Sequence, residues 1–196
     1  MGDPAAHLRP TSDRVREALF NVLLGGRYGS PVIGARVLDL FAGTGALGLE
    51  ALSRGAVQAT FVDDGRVAGG LIRDNIGRVK RRADTALLSL NATTLPPHTG
   101  DPFTLIFLDP PYGKGLGLLA LQSAQSGGWI APGALVVWEE ATPQPAPPGF
   151  APVEVRRYGD TVVTVLRAPG GISPALGGCR PTYSPRTPAV GHNTGR

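Results

Sequence analysis

Apolar residues along this chain fall into two alternating kinds of block. Short continuous runs have the length and content of buried strands: 36–41 (RVLDLF), 59–62 (ATFV), 86–90 (ALLSL), 104–108 (TLIFL) and 135–138 (LVVW). Between them lie segments of helical spacing. The first runs from a cap at Thr11 or Ser12 to about Leu24, with Val15, Leu19 and Val22 on one face and Ala18 and Leu23 beside it. Gly25, Gly26, Gly29 and Pro31 end it. Others are expected at 46–54, at 66–82 and at 116–126. Gly69 and Gly70 weaken the 66–82 helix by roughly 1 kcal/mol each relative to alanine. Residues 143–152 hold five prolines and form an irregular crossing. Residues 153–158 and 161–167 are β-like and joined by Gly159-Asp160, which predicts a closing hairpin. Strands alternating with helices predict an α/β fold: a mostly parallel seven-stranded sheet flanked by helices, with an antiparallel C-terminal hairpin.

Composition narrows the class. The 196 residues are 42% hydrophobic and 17% charged, and no apolar run approaches the length of a membrane span. With a single cysteine, Cys179, no internal disulfide is available, and no Cys/His cluster has zinc spacing. A cytoplasmic monomer needing no metal is expected. The formal charge is +4, but Arg180, Arg186 and Arg196 carry three of those charges in a segment without an acid. The body is therefore nearly neutral, and net charge alone is weak evidence for a nucleic-acid partner. One local cluster, Arg78, Lys80, Arg81 and Arg82, fits either a solvated helix end or a phosphate contact. Residues 1–167 read as one domain. Residues 168–196, with six glycines, five prolines and no apolar period, read as a disordered tail.

Two constellations carry chemistry. Gly43, Gly45 and Gly48 form G-x-G-x-x-G between a strand and a helix, a loop whose backbone can approach a ligand at the carboxyl ends of the strands. Asp63, at the end of the second strand, is placed to bind ribose hydroxyls. So far NAD and S-adenosylmethionine fit equally. Asp39 separates them: a carboxylate four residues before Gly43 repels a pyrophosphate and favours a cationic ligand such as S-adenosylmethionine. Its alternative role is to accept local backbone amides.

The second constellation, Asp109-Pro110-Pro111-Tyr112, follows an apolar strand and so shares that rim. Two prolines stiffen the turn and remove two N–H donors, leaving carbonyls, a carboxylate and an aromatic face. That set suits a planar base with an exocyclic amine. The amine can donate to the Asp109 side chain and the Pro110 carbonyl while Tyr112 stacks on the ring. Held in line, the amine nitrogen attacks a sulfonium methyl without metal or covalent intermediate.

Three stretches resemble a known family, the RsmD-type 16S ribosomal RNA guanine-N2 methyltransferases of the class I, Rossmann-like methyltransferase fold. They are RPTSDRVREALFNVL (9–23), VLDLFAGTGALGLEALSRGA (37–56) and FTLIFLDPPYGKG (103–115). The first is the most selective; the other two are general methyltransferase motifs. The resemblance covers about residues 9–167. It implies S-adenosylmethionine as methyl donor and a guanine of 16S rRNA, within the small ribosomal subunit, as acceptor. By the same resemblance, Asp39, Phe41, Ala42, Gly43, Thr44, Gly45, Asp63, Asn91 and Asp109 hold the cofactor, with Asp84 the alternative to Asn91 if the third strand lies earlier. Asp109, Pro110 and Tyr112 act on the target amine. Arg9, Thr11, Arg14, Arg16 and Pro111 contact substrate, although Arg14 and Arg16 also suit ion pairs with Asp13 and Glu17.

The chain departs from the family in three places. Only residues 1–8 precede Arg9, where the family has a glycine- and arginine-rich hairpin; Gly65 stands where a second acid is frequent, with Asp64 beside it; and the Gly/Pro-rich tail has no family counterpart. The rival readings are an amino-methyltransferase for DNA adenine N6 or protein glutamine, an NAD-dependent oxidoreductase, and a non-catalytic RNA-binding factor.

Overall fold

The computed structural model describes residues 13–170. The expected contacts of Arg9 and Thr11, the cap at Thr11 or Ser12, and the tail from residue 171 onward lie outside those residues. Seven strands form one sheet: β1 (Arg36–Leu40), β2 (Gln58–Val62), β3 (Thr85–Leu88), β4 (Phe103–Leu108), β5 (Ile130–Glu140), β6 (Ala151–Tyr158) and β7 (Thr161–Arg167). Their order is β3-β2-β1-β4-β5-β7-β6. The first five run parallel, and β7 pairs antiparallel with both β5 and β6. This is the expected mostly parallel sheet with a terminal hairpin, turned at Gly159, whose φ of 61° suits a residue without Cβ.

Two apolar layers cover the sheet because successive strand residues face opposite sides. Val37 joins the layer of α1 (Asp13–Leu24), α2 (Ala46–Ser53) and α3 (Arg66–Arg78), while Leu38 and Leu40 join that of α4 (Leu116–Ser126). The buried face of α1 is rotated from the expected one: Leu19, Phe20 and Leu23 are buried, whereas Val15 and Val22 are only half-buried. Phe20 decides this, packing its ring 5.6 Å from that of Phe107 in the sheet.

Several boundaries differ from expectation, most by one or two residues. Helix α3 stops at Arg78, not 82, because the chain turns through Lys80 at φ 56°. Strand β3 covers 85–88, not 86–90. Strand β5 is much longer than 135–138 and takes in Glu139 and Glu140, which pair with Val163 and Val162 of β7. Order also continues past 167: Ala168 donates to the Ala134 carbonyl, and the Pro169 carbonyl accepts from Gly133.

Gly48 permits the close approach of α2 to the sheet. A Cβ there would lie 2.4 Å from Phe61 Cε1 and 3.2 Å from Asp39 Oδ2. Phe61 is fully buried, so the ring can yield only by shifting its neighbours in the close-packed interior. Gly48→Ala is therefore expected to destabilise the protein by about 1–3 kcal/mol, the usual penalty of overpacking. Thermal unfolding of the purified variant checks this.

Candidate active site

The candidate side chains gather at the carboxyl ends of β1, β2 and β4. Asp39 lies within β1 and is only 1% exposed. Its Oδ2 accepts the N–H of Gly48 at 2.9 Å. Burial pushes its carboxyl up to about 8, with the nearby Asp63 charge adding to the rise and the Gly48 bond opposing it. Asp39 thus takes the alternative role foreseen for it, accepting a local amide, and its carboxyl stands at the base of the loop.

The loop itself turns sharply. Phe41 has φ 60°, rare for a residue with a side chain, and Gly43 and Gly45 follow at 59° and 76°. Ala42 donates to the Val62 carbonyl and accepts from Gly45 at 2.7 Å. Asp63 binds two amides, Gly43 N–H through Oδ2 at 2.9 Å and Gly65 N–H through Oδ1 at 2.8 Å. Each carboxylate oxygen keeps a second lone pair for a ligand hydroxyl. Asp64 is exposed.

Asn75 was missed by the sequence reading. From α3 its Nδ2 donates to the Thr44 carbonyl at 3.0 Å, tying the loop to the helix. The available signal was a lone amide between Ile72 and Ile76 on an otherwise apolar helix face.

Asp109 follows β4 and is half-buried, and its N–H donates to the Leu40 carbonyl at 3.3 Å. The turn therefore starts beside the end of β1, next to the glycine loop. Pro110 is buried and Pro111 half-buried. The Tyr112 hydroxyl donates to Glu139 Oε1 at 3.1 Å and lies 3.3 Å from Thr161 Oγ1. Burial pushes Tyr112 up to about 12, reinforced by the neighbouring carboxylates and opposed by Thr161. Gly113 N–H donates to Glu140 Oε1 at 2.7 Å. Glu139 and Glu140 were also missed. Their signal was two adjacent acids closing an apolar strand, where charge ordinarily marks a strand's end.

Other expected residues fall further away. Asn91 lies just past β3 on the same rim and is exposed, its Oδ1 accepting from Thr93 N–H and Oγ1. Asp84 precedes β3 on the opposite rim and is paired with Arg81 at 2.6 Å, so the alternative to Asn91 drops out. The cluster Arg78, Lys80, Arg81 and Arg82 lies on that far rim too, at the end of α3. Arg16 pairs with Asp13 at 3.0 Å and approaches Glu50 at 3.6 Å; Glu50, not Glu17, is its second partner. Arg14 is exposed.

The residues on the rim suit S-adenosylmethionine. Asp39, Asp63 and Asp109 are acidic, and Asn91 is neutral. The Gly48 amide, in the first turn of α2, is taken by Asp39. A cation and sugar hydroxyls suit such a cradle, whereas its carboxylates repel a diphosphate.

The fold defines a Rossmann-like α/β domain that carries these residues at the carboxyl ends of its parallel strands, where ligands of such folds bind. Residues 3–167 match the family model described as conserved hypothetical protein 95. The chain belongs to that family, the RsmD-type methyltransferases. Its relatives include ribosomal RNA small subunit methyltransferase D of Escherichia coli, 41% identical over 133 residues, which are 67% of this chain and 64% of that protein. The namesake from Haemophilus influenzae is 34% identical over 142 residues, 70% of each chain. The solved structure of yhhF from Escherichia coli superposes with a TM-score of 0.72 at 32% identity, covering 85% of this chain and 90% of that one. The match thus spans somewhat less than two thirds of the Escherichia coli relative's length.

Proposed function

We propose that this protein transfers a methyl group from S-adenosylmethionine to the exocyclic N2 of a guanine in 16S ribosomal RNA. The observation that carries the reading is the adjacency of two elements: the Asp109-Pro110-Pro111-Tyr112 turn begins one hydrogen bond away from β1, whose end opens into the glycine loop. An amine held by the first lies beside a ligand held by the second. The relatives named as small-subunit ribosomal RNA methyltransferases support the acceptor class.

When bound, S-adenosylmethionine supplies the electrophilic methyl. The remaining roles belong to this chain. Asp39 faces the cationic amino-acid end, Asp63 accepts from the ribose hydroxyls, and Phe41–Gly45 shape the loop around the ligand. Asn91 borders the adenine side. The Asp109 carboxylate and Pro110 carbonyl accept from the target amine, directing its lone pair toward the methyl. Tyr112 stacks on a guanine that has been turned out of its helix, with Pro111 beside it. The Tyr112 hydroxyl is protonated through the physiological range, and burial widens that margin. Arg14, together with Arg9 and Thr11 of the opening motif, contacts RNA phosphates. We assign the protein to the cytoplasm, acting as a monomer on the small subunit.

Labelled methyl transfer to small subunits lacking the modification tests the reading, with naked 16S rRNA, DNA and protein acceptors alongside. Label on guanine N2, decreasing as salt weakens phosphate contacts, is the expected result. Label on adenine N6 or on a glutamine amide would replace the acceptor. Thermal protection by NADH but not by S-adenosylhomocysteine would replace the cofactor.

A further inference from the structure

Strand β5 ends in two adjacent carboxylates, Glu139 and Glu140, only 5% and 6% exposed. Burying a carboxylate is costly unless hydrogen bonds compensate, so a pair at one strand end is an expensive way to make a simple turn. Their arrangement follows from strand geometry. Neighbouring side chains of a strand face opposite sides of the sheet. Glu139 pairs across to Val163, a member of the α1–α3 layer, so it stands on that face; Glu140 stands on the other. Glu139 accepts from the Tyr112 hydroxyl, and Glu140 accepts from the Gly113 amide. The segment 112–113 therefore straddles the end of β5 and is held on both sides. Thr161, the first residue of β7, reaches the same Tyr112 hydroxyl, so the C-terminal hairpin braces the grip.

We infer that Glu139 and Glu140 are positioning residues for methyl transfer: they clamp Tyr112 and Gly113, and so hold the turn that presents Asp109 and Pro110 to the target amine. The inference rests on the proposed function. Neither glutamate touches the reacting atoms; each acts through the segment it holds. The prolines stiffen the turn's interior. Its far end, by contrast, enters Gly113 and Gly115, at φ 73° and 66°, and gains its fixed position from the two carboxylates.

The test combines turnover with a readout of the segment itself. Glu139→Ala is expected to lower kcat at saturating RNA and cofactor by about 10- to 100-fold, the scale of losing a near-attack geometry. Its affinity for S-adenosylhomocysteine should stay close to that of the parent. Glu139→Gln keeps an acceptor oxygen for Tyr112 and should restore most of the rate. The double variant Glu139→Ala/Tyr112→Phe should be no slower than Tyr112→Phe alone, since both act through one hydroxyl. Independently of any acceptor, the Gly113 amide should exchange with solvent faster in Glu140→Ala, read by NMR.

Parental kcat in Glu139→Ala would overturn the inference, as would multiplying losses in the double variant. So would unchanged Gly113 exchange in Glu140→Ala. A parent enzyme that labels no acceptor would instead overturn the proposed function, and Gly113 exchange would then still decide whether the clamp exists.

Discussion

Asp109→Ala is expected to slow methyl transfer to guanine by about 10²- to 10³-fold, the scale on which removing one preorganised polar partner acts. The physical reason is local. The target amine has two acceptors in the turn, the Asp109 carboxylate and the Pro110 carbonyl, and only the first is removed by the substitution. Pro110 is buried, and the backbone bond from Asp109 N–H to Leu40 does not involve the side chain, so the turn should keep its place. The loss should therefore fall mainly on kcat. Single-turnover kinetics with labelled cofactor, beside calorimetric binding of S-adenosylhomocysteine, separates the two quantities. A variant that transfers methyl at the parental rate would remove Asp109 from the chemistry.

Asp39→Asn should produce the opposite pattern, with cofactor binding weakened and the apoprotein as stable as before or more so. The sign follows from the raised carboxyl. Asp39 loses its proton near pH 4 in the unfolded chain but only near pH 8 when folded. Between those values the folded protein holds a proton that the unfolded chain has released, so its contribution to stability declines as pH rises from 4 through 8. An amide is nearly isosteric with the protonated acid and can still accept from Gly48. Asp39→Asn should therefore match the parent's melting temperature near pH 4 and exceed it by a margin that grows from pH 4 to about pH 8.

Cofactor binding reverses this preference, because a cation beside Asp39 favours the ionised carboxylate. The parent should thus release a proton on binding S-adenosylmethionine near neutral pH, and its affinity should rise between pH 6 and 7.5. Asp39→Asn should bind at least about tenfold more weakly, the scale of a lost hydrogen bond to a charged group. Its affinity should be flat over the same pH interval. Calorimetry in buffers of different ionisation enthalpy reads the proton directly.

Much of this arrangement was legible along the chain. The parallel order follows from strand and helix blocks in alternation, and parallel strands bring their carboxyl ends to one rim, so Asp39, the glycine loop, Asp63 and Asp109 had to converge there. Gly43 and Gly45 do take the positive φ that their spacing implied. The hairpin at Gly159-Asp160 was equally plain, because it is a local turn between two β-branched runs.

Other features depend on contacts between residues distant in sequence. The rotation of α1 could not be read from its own periodicity, since Leu19–Leu23 and Val15–Val22 both make an apolar stripe; the ring of Phe107 selects the first. The end of α3 was overrun because helix propensity does not register the backward turn at Lys80. Strand β5 was cut short at Trp138 because two acids ordinarily mark the end of a buried strand. In the folded chain, β7 supplies their backbone partners, and Tyr112 and Gly113 supply their side-chain partners. Local pattern thus determined the order of the elements and the rim on which the chemistry lies, because periodicity and turn residues act over a few positions. The tertiary structure alone decided which buried polar groups hold that rim in place, because a carboxylate's cost or worth in the interior depends on the donors that distant segments bring to it.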